Sequence, residues 1–212
     1  MTTNNKIELM APAGNFESLQ AALDNGCDSV YFGVEQLNMR ARASVNFTMD
    51  DLAEIAKRCE AKNVRSYLTL NTIIYDHDLS VVKTLINKAK EANITAVIAS
   101  DQAVIAMARS VGMEVHISTQ LNVTNIETIK FYSLFADTMV LSRELSLRQV
   151  KKITEQIEKE QIKGPNGNLV EIEIFGHGAL CMAVSGKCYL SLHSHNSSAN
   201  RGACKQNCRK KY

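Results

Sequence analysis

The chain has 212 residues, 45% hydrophobic and 22% charged, the make-up of one sizeable folded domain rather than a disordered or repetitive chain. No apolar run approaches the roughly 18 to 20 residues of a membrane span, and the opening "MTTNNKIELMAPAG" lacks the basic-then-apolar pattern of a secretory leader, so the expected location is cytoplasmic with no membrane contact. The net charge of +2 hides an asymmetry: no acidic residue follows Glu173, whereas Lys187, Arg201, Lys205, Arg209, Lys210 and Lys211 do, which leaves the first 173 residues at −4. A basic C-terminal segment on a mildly acidic body suits a polyanion such as RNA or DNA, and equally a solvated tail.

Strand-like runs alternate with amphipathic helical stretches along the chain. "IELMAPAG" leads to "FESLQAALDNG", "DSVYFG" to "MDDLAEIAKRCEAKN", and "VRSYLTLN" to "DLSVVKTLINKAKEAN". "TAVIAS" then precedes "DQAVIAMARSVG", "EVHISTQ" precedes "IETIKFYSLFA", "DTMVLS" precedes "LRQVKKITEQIEKE", and "LVEIEIFGHG" reads as a seventh strand. Short Val- and Ile-rich runs separated by helices predict parallel strands with crossover helices. Thr48 with Asp51, and Ser146 with Gln149, have capping-box spacing. Gly26 and Gly112 fall where helices should stop, and "KGPNGN" (163–168) reads as a turn.

The predicted fold class is α/β: a (β/α) TIM-like barrel, complete or incomplete, with a C-terminal four-cysteine cluster segment. An open doubly wound sheet is the alternative, because periodicity does not show closure. Residues 1–178 are assigned to the barrel-like domain and 179–212 to a cysteine-rich, metal-binding segment packed on it. An eighth unit has no room before Tyr212, so a further domain after 212 is expected.

Chemistry in a parallel barrel gathers where strands meet the loops that follow them. Asn71, Ser100, Asp101, Ser118, Gln120, Asn122, Ser142, Arg143, Glu144 and His177 fall at such points. Asp101 also suits a helix cap, and Arg143 with Glu144 a surface ion pair. Arg40 and Arg42, two apart in the loop after the second strand, would point the same way if extended, and paired guanidiniums suit carboxylate or phosphate. H-E-x-x-H, G-x-S-x-G and G-x-x-x-x-G-K-[ST] are all absent from the sequence.

Of six cysteines, Cys27 and Cys59 fit the apolar pattern of a strand start and a helix. Cys181, Cys188, Cys204 and Cys208 lie in a segment of Gly, Ser, Asn and His with little apolar content, which needs a staple to stay ordered. Their spacing differs from a zinc ribbon and suits a cuboidal iron–sulfur cluster at least as well, leaving a 4Fe–4S cluster, zinc and free thiols as readings.

"EIFGHGALCMAVSGKCYLS" resembles the signature of peptidase family U-32, E-x-F-x-x-G-[SA]-[LIVM]-C, four residues, G-x-C-x-[LIVM]-S. Glu173, Phe175, Gly178, Ala179, Leu180, Cys181, Gly186, Cys188, Leu190 and Ser191 all match it. "LMAPAGNFESLQAALDNGCDSVYFG", "STQLNVTN" and "LSRELSL" extend the likeness over essentially the whole chain, towards the branch responsible for prephenate-dependent 5-hydroxylation of the tRNA wobble uridine; a related branch hydroxylates ribosomal RNA. The resemblance implies a partial barrel carrying a 4Fe–4S cluster on Cys181, Cys188, Cys204 and Cys208. The expected activity is RNA hydroxylation with prephenate, a small dicarboxylate, as co-substrate, and Arg40, Arg42 and Arg143 are the expected partners of its carboxylates. Arg143, Glu144, His177 and Asp101 are the candidate catalytic groups, and Arg40, Arg42, Asn71, Ser118, Gln120 and Asn122 the candidate substrate-binding groups. Lys205, Arg209, Lys210 and Lys211 would hold tRNA or ribosomal RNA. The alternatives are a collagenase-like metal-dependent peptidase, and a non-catalytic iron–sulfur partner subunit of a larger assembly.

Overall fold

The computed structural model describes residues 7–35, 37–39, 41 and 47–210. Seven strands, β1 (Met10–Ala13), β2 (Ser29–Gly33), β3 (Arg65–Leu70), β4 (Ala96–Ala99), β5 (Glu114–Ile117), β6 (Thr138–Val140) and β7 (Glu171–Glu173), form one sheet in strict chain order. Every neighbouring pair is parallel. Between them lie α1 (Phe16–Asp24), α2 (Leu52–Glu60), α3 (Leu79–Glu91), α4 (Gln102–Ser110), α5 (Ile126–Tyr132) and α6 (Leu147–Glu160), and α7 (Leu190–His195) follows β7. A doubly wound sheet reverses its strand order at a switch point. Here the order never reverses, so right-handed crossovers keep all the helices on one face and the sheet is a TIM-like half-barrel. No pairing joins β1 to β7 among the described residues.

Strand alternation sorts the residues into two faces. Val30, Phe32, Leu68, Leu70, Val97, Ala99, Val115, Ile117, Met139 and Leu141 join Leu19, Ile55, Leu85, Ile86, Val104, Ile129, Ile153 and Ile157 of the helices in one buried core. Burial of each large aliphatic side chain in it is worth about 1.5–3 kcal/mol. Tyr67, Ala96 and Ile98 form a second cluster on the inner face with Met10 and Tyr31 packed against it. Polar Thr69, His116 and Thr138 share that face and are also buried. Cys27 and Cys59 are buried, as their apolar context predicts, and burial pushes the Cys59 thiol up to about 11, so it stays protonated.

The helix borders follow local chemistry. Asn15, Asp101 and Asn125 accept backbone N–H bonds at the starts of α1, α4 and α5. The Thr48 and Ser146 backbone N–H groups donate to Asp51 (2.7 Å) and Gln149 (2.9 Å), as their spacing predicts. Gly26 (φ +78°) and Gly112 (φ +68°) take the left-handed conformation after α1 and α4.

After β7 the chain crosses the ends of the strands. The seventh strand is shorter than the predicted run, since "IFGHG" continues without regular structure. The cysteine-rich segment is not an unstructured loop awaiting a metal staple. It contains α7 and one-turn 3-10 helices at Ala199–Arg201 and Asn207–Arg209. Contacts with the barrel supply order that its own composition lacks: Asn200 O accepts from Ile73 N (3.1 Å), and Arg201 Nη1 donates to Ile73 O (2.9 Å).

Candidate functional site

Leu70, Ala99 and Ile117 are register partners at the ends of β3, β4 and β5, so the residues that follow, Asn71, Ser100 and Ser118, stand level on the inner side of the sheet. They are hydrogen-bonded to one another and to the adjoining loop. Asn71 Nδ2 donates to Ser118 Oγ and to Gln120 Oε1, both at 3.3 Å. Ser100 Oγ donates to Asn71 O (2.9 Å), Met39 N to Asn71 Oδ1 (3.2 Å), and Ser118 Oγ to Gln120 Oε1. Above this layer lies a cavity of about 120 Å³, lined by Asn71, Ser100 and Gln120 from the barrel, Gly186 and Asn200 from the cysteine-rich segment, and Met39, Ile73 and Leu121. Its polar walls are uncharged amides and hydroxyls, suited to neutral hydrogen-bonding groups of a ligand.

The same register brings Glu173 to this level on the same inner face, from the β7 edge of the sheet, because His116 pairs with Thr138 and Val140 with Glu173. Glu173 Oε2 and His116 Nδ1 are both buried without a hydrogen-bond partner among the described residues. Burial raises the Glu173 carboxyl above its usual range, an effect that His116 opposes. On the other ring nitrogen, His116 Nε2 lies 3.1 Å from Glu114 Oε1, a contact that lowers the Glu114 carboxyl. The imidazole also stacks obliquely on Tyr67, with centroids 4.6 Å apart, and burial raises the Tyr67 phenol. In the sequence Glu173 stands out as the first residue of the signature, not as a site residue.

The remaining predicted residues divide. Asn122, in the left-handed conformation (φ 52°), donates through Nδ2 to Gln120 O (2.8 Å) and Ser185 O (3.0 Å). Arg143 Nη2 donates to Ser185 Oγ (2.9 Å) and Ala183 O (3.4 Å). Both therefore face the turn between Cys181 and Cys188. Asp101 turns its carboxylate to its own helix, accepting from Ala103 N at 2.8 Å. Glu144 is exposed and accepts from Ser142 Oγ, a bond that lowers its carboxyl. His177 is exposed on the loop after β7. Lys205, Arg209 and Lys210 are exposed too, whereas Arg40, Arg42 and Lys211 lie outside the described residues.

Cys181, Cys204 and Cys208 are exposed, Cys188 is half-buried, and none is in a disulfide. Four cysteine thiols are a donor set that suits a metal, and Cys204 Sγ accepts an N–H bond from Gln206 (3.4 Å). The four thiols are not gathered, since among the described residues no three His, Cys, Asp or Glu side chains are placed to share one ion. They would have to close over a metal as it binds, which is common where binding and local folding are coupled.

The family model described as peptidase family U32 matches residues 14–212. This chain belongs to peptidase family U32. Over 208 residues the U32 chain is 59% identical to a protein named Collagenase from Porphyromonas gingivalis, covering 98% of this chain and 50% of that one. Over 210 residues it is 33% identical to tRNA hydroxylation protein P1 of Bacillus subtilis, covering 98% of this chain and 47% of that one. The chain thus spans about half the length of these curated relatives. Among solved structures, the U32 peptidase Mk0906 superposes with a TM-score of 0.60 at 13% identity, over 82% of this chain and 69% of that one, a likeness of fold.

Proposed function

We propose that this U32 chain is the barrel half of an RNA-hydroxylating protein acting on tRNA, with a 4Fe–4S cluster on Cys181, Cys188, Cys204 and Cys208. One observation carries the reading. The neutral, amide-lined cavity at the strand ends is roofed by a segment without a carboxylate after Glu173, whose Lys187, Lys205, Arg209 and Lys210 are all exposed. Such a face attracts phosphate, while the cavity offers hydrogen bonds to a neutral group. The likeness to a tRNA hydroxylation protein over 98% of the chain supports the same direction. The cluster would supply redox chemistry or bind the hydroxyl donor. The protein's own groups would orient the ligand, through Asn71, Ser100 and Gln120, and hold a proton, at Glu173. Prephenate, the proposed dicarboxylate co-substrate, needs cationic partners, for which Arg40 and Arg42 are the candidates.

A second reading, a collagenase-like peptidase, has the 59% identity to the Porphyromonas gingivalis Collagenase in its favour. A Ser–His contact exists, with Ser194 Oγ 2.8 Å from His195 Nδ1. That hydroxyl, however, donates to Leu190 O at 2.7 Å and accepts from Asn207 Nδ2 at 2.5 Å, so its single proton goes to a carbonyl and not to the imidazole. The deciding experiment takes the full-length protein, purified anaerobically, and measures base hydroxylation in tRNA by mass spectrometry beside cleavage of gelatin. Hydroxylation without cleavage is expected. Cleavage without hydroxylation would replace the first reading by the second.

A further inference from the structure

We propose that Arg143 and Asn122 are positioning residues that pin the turn between Cys181 and Cys188, and so set where those two thiols stand, rather than groups that bind the co-substrate. The inference rests on the cluster reading above for its purpose, but its geometry is independent of any metal. The intervening "MAVSGK" makes a tight turn, with Lys187 N donating to Val184 O at 3.2 Å and Gly186 at φ +71°. Its apex, Ser185–Gly186, is held from two neighbouring strand ends. Beyond β6, the Arg143 guanidinium reaches Ser185 Oγ (2.9 Å) and Ala183 O (3.4 Å) through Nη2. Beyond β5, Asn122 Nδ2 reaches Ser185 O (3.0 Å). Gly186 closes the contact: a Cβ there would meet the Gln120 Cβ at 3.0 Å, a tight approach in a left-handed conformation, and glycine relieves both.

The same geometry argues against a carboxylate on the Nε–Nη2 edge of Arg143. Nη2 already donates to two acceptors in the turn, which leaves on that edge only Nε, buried and without a hydrogen-bond partner among the described residues. A bidentate carboxylate needs two neighbouring N–H groups free together. Lysine keeps the charge but cannot present one planar nitrogen to a hydroxyl and a carbonyl in this way.

The test uses the full-length protein with Arg143→Lys, Asn122→Ala, Ser185→Ala and Ser185→Thr. In metal-free protein, trypsin cleavage after the exposed Lys187 reports opening of the turn. After anaerobic reconstitution with iron and sulfide, the decay of visible absorbance in the presence of a chelator reports how firmly the thiols hold the cluster. Arg143→Lys, Asn122→Ala and Ser185→Ala are expected to speed both about tenfold, the loss of roughly one hydrogen bond to a charged or buried group. Ser185→Thr keeps the hydroxyl and should behave as wild type, and prephenate affinity should stay within twofold throughout. Wild-type protein that assembles no cluster sinks the cluster reading and this role with it. A wild-type cluster whose lifetime is unchanged in the variants, or a loss of prephenate affinity with Lys187 still protected, overturns only the present inference.

Discussion

Arg201 and Asp78, 123 positions apart, meet through Nη1 and Oδ2 at 2.5 Å and tie the C-terminal segment to the loop that follows β3. The guanidinium also lies 4.3 Å from the centroid of the Tyr75 ring. The pair is largely shielded, with side-chain exposures of 26% and 12%, so it is worth more than a surface ion pair.

Arg201→Ala should therefore loosen the segment by about 1.5–3 kcal/mol, the range for hydrogen bonds to charged groups. The bond to Arg201 is the main cause holding the Asp78 carboxyl below its usual 3.8. A depressed carboxyl contributes stability above its unfolded value, and that contribution is lost as pH falls through the folded value. Protection of the amides of residues 197–203, taken relative to their intrinsic exchange at each pH, should accordingly fall below about pH 4 in wild type. In Arg201→Ala that protection should be low and independent of pH over the same range. Equal exchange in the two proteins at neutral pH would show that the tie does not hold the segment.

Gly202 next to this pair leads to a second expectation. Its φ is +79°, and an added Cβ would stand 2.3 Å from Asn38 O and 2.9 Å from the Ala41 Cβ. A backbone oxygen cannot swing aside as a flexible side chain would. Gly202→Ala should lift the segment off the barrel while the helix-facing core, which it does not touch, keeps its melting transition. Differential exchange between residues 197–203 and β3 measures this, and protection unchanged in both would refute it.

Glu173 yields a pH prediction of opposite sign. Burial raises its folded carboxyl above the usual 4.5. The folded state then holds the proton more tightly than the unfolded chain, so the stability contribution is full below that usual value and is lost as pH rises through the folded value. His116 faces the same interior and opposes the shift, and Glu114 and Glu171 bring further negative charge to it. Glu173→Gln keeps the shape and removes the ionisation. Its melting temperature relative to wild type should climb with pH from about 4.5 and then level off. Parallel curves would mean that Glu173 carries its charge at no cost.

The cysteines separate by environment. Replacing Cys188 or Cys204 with Ser should abolish iron uptake by the full-length protein, whereas Cys59→Ser, in the buried core, should alter stability and leave iron content unchanged. Iron analysis after anaerobic reconstitution checks both. Equal loss from the two groups would remove the metal role from the C-terminal four.

How much of this was legible follows from the range of the interactions. The strands were readable because a half-barrel buries one face of each against helices, which writes Val, Ile and Leu at period two in the sequence. The caps at Ser146 and Thr48 were readable because their partners lie three residues on. α7 was not. "LSLHSH" has little helical signal, and tertiary bonds help to hold it, among them Lys205 N to the buried Ser191 Oγ at 2.9 Å. The partners of Arg143 lie 40 and 42 residues away, so its orientation could not be read locally, and a rim arginine looked like a ligand for carboxylate. Glu173 did leave a trace. In "LVEIEIF" Glu171 and Glu173 alternate with Ile172 and Ile174, which puts the two carboxylates on one face of the strand and the two isoleucines on the other.

The distribution of charge leads to the last expectation, which weighs RNA against peptide. If the exposed Lys205, Arg209 and Lys210 contact phosphates, each contact releases counterions, and log affinity for tRNA falls linearly with log salt concentration. Charge reversal at all three should flatten that slope by up to roughly 2.7 units, about 0.9 per lost contact on a duplex. The cluster spectrum should persist, because these side chains are not ligands and none lies between Cys181 and Cys188. Binding through the neutral cavity alone would behave differently, with affinity nearly independent of salt and sensitive instead to Asn71→Ala. A peptidase would turn over gelatin at a rate indifferent to the reversals. The measurement belongs on the full-length protein, since this chain spans about half of its curated relatives and the rest of the protein can add contacts of its own. A salt slope that is steep but unaltered by the three reversals would move the RNA site off this segment, whereas a slope near zero would remove the electrostatic argument for RNA altogether.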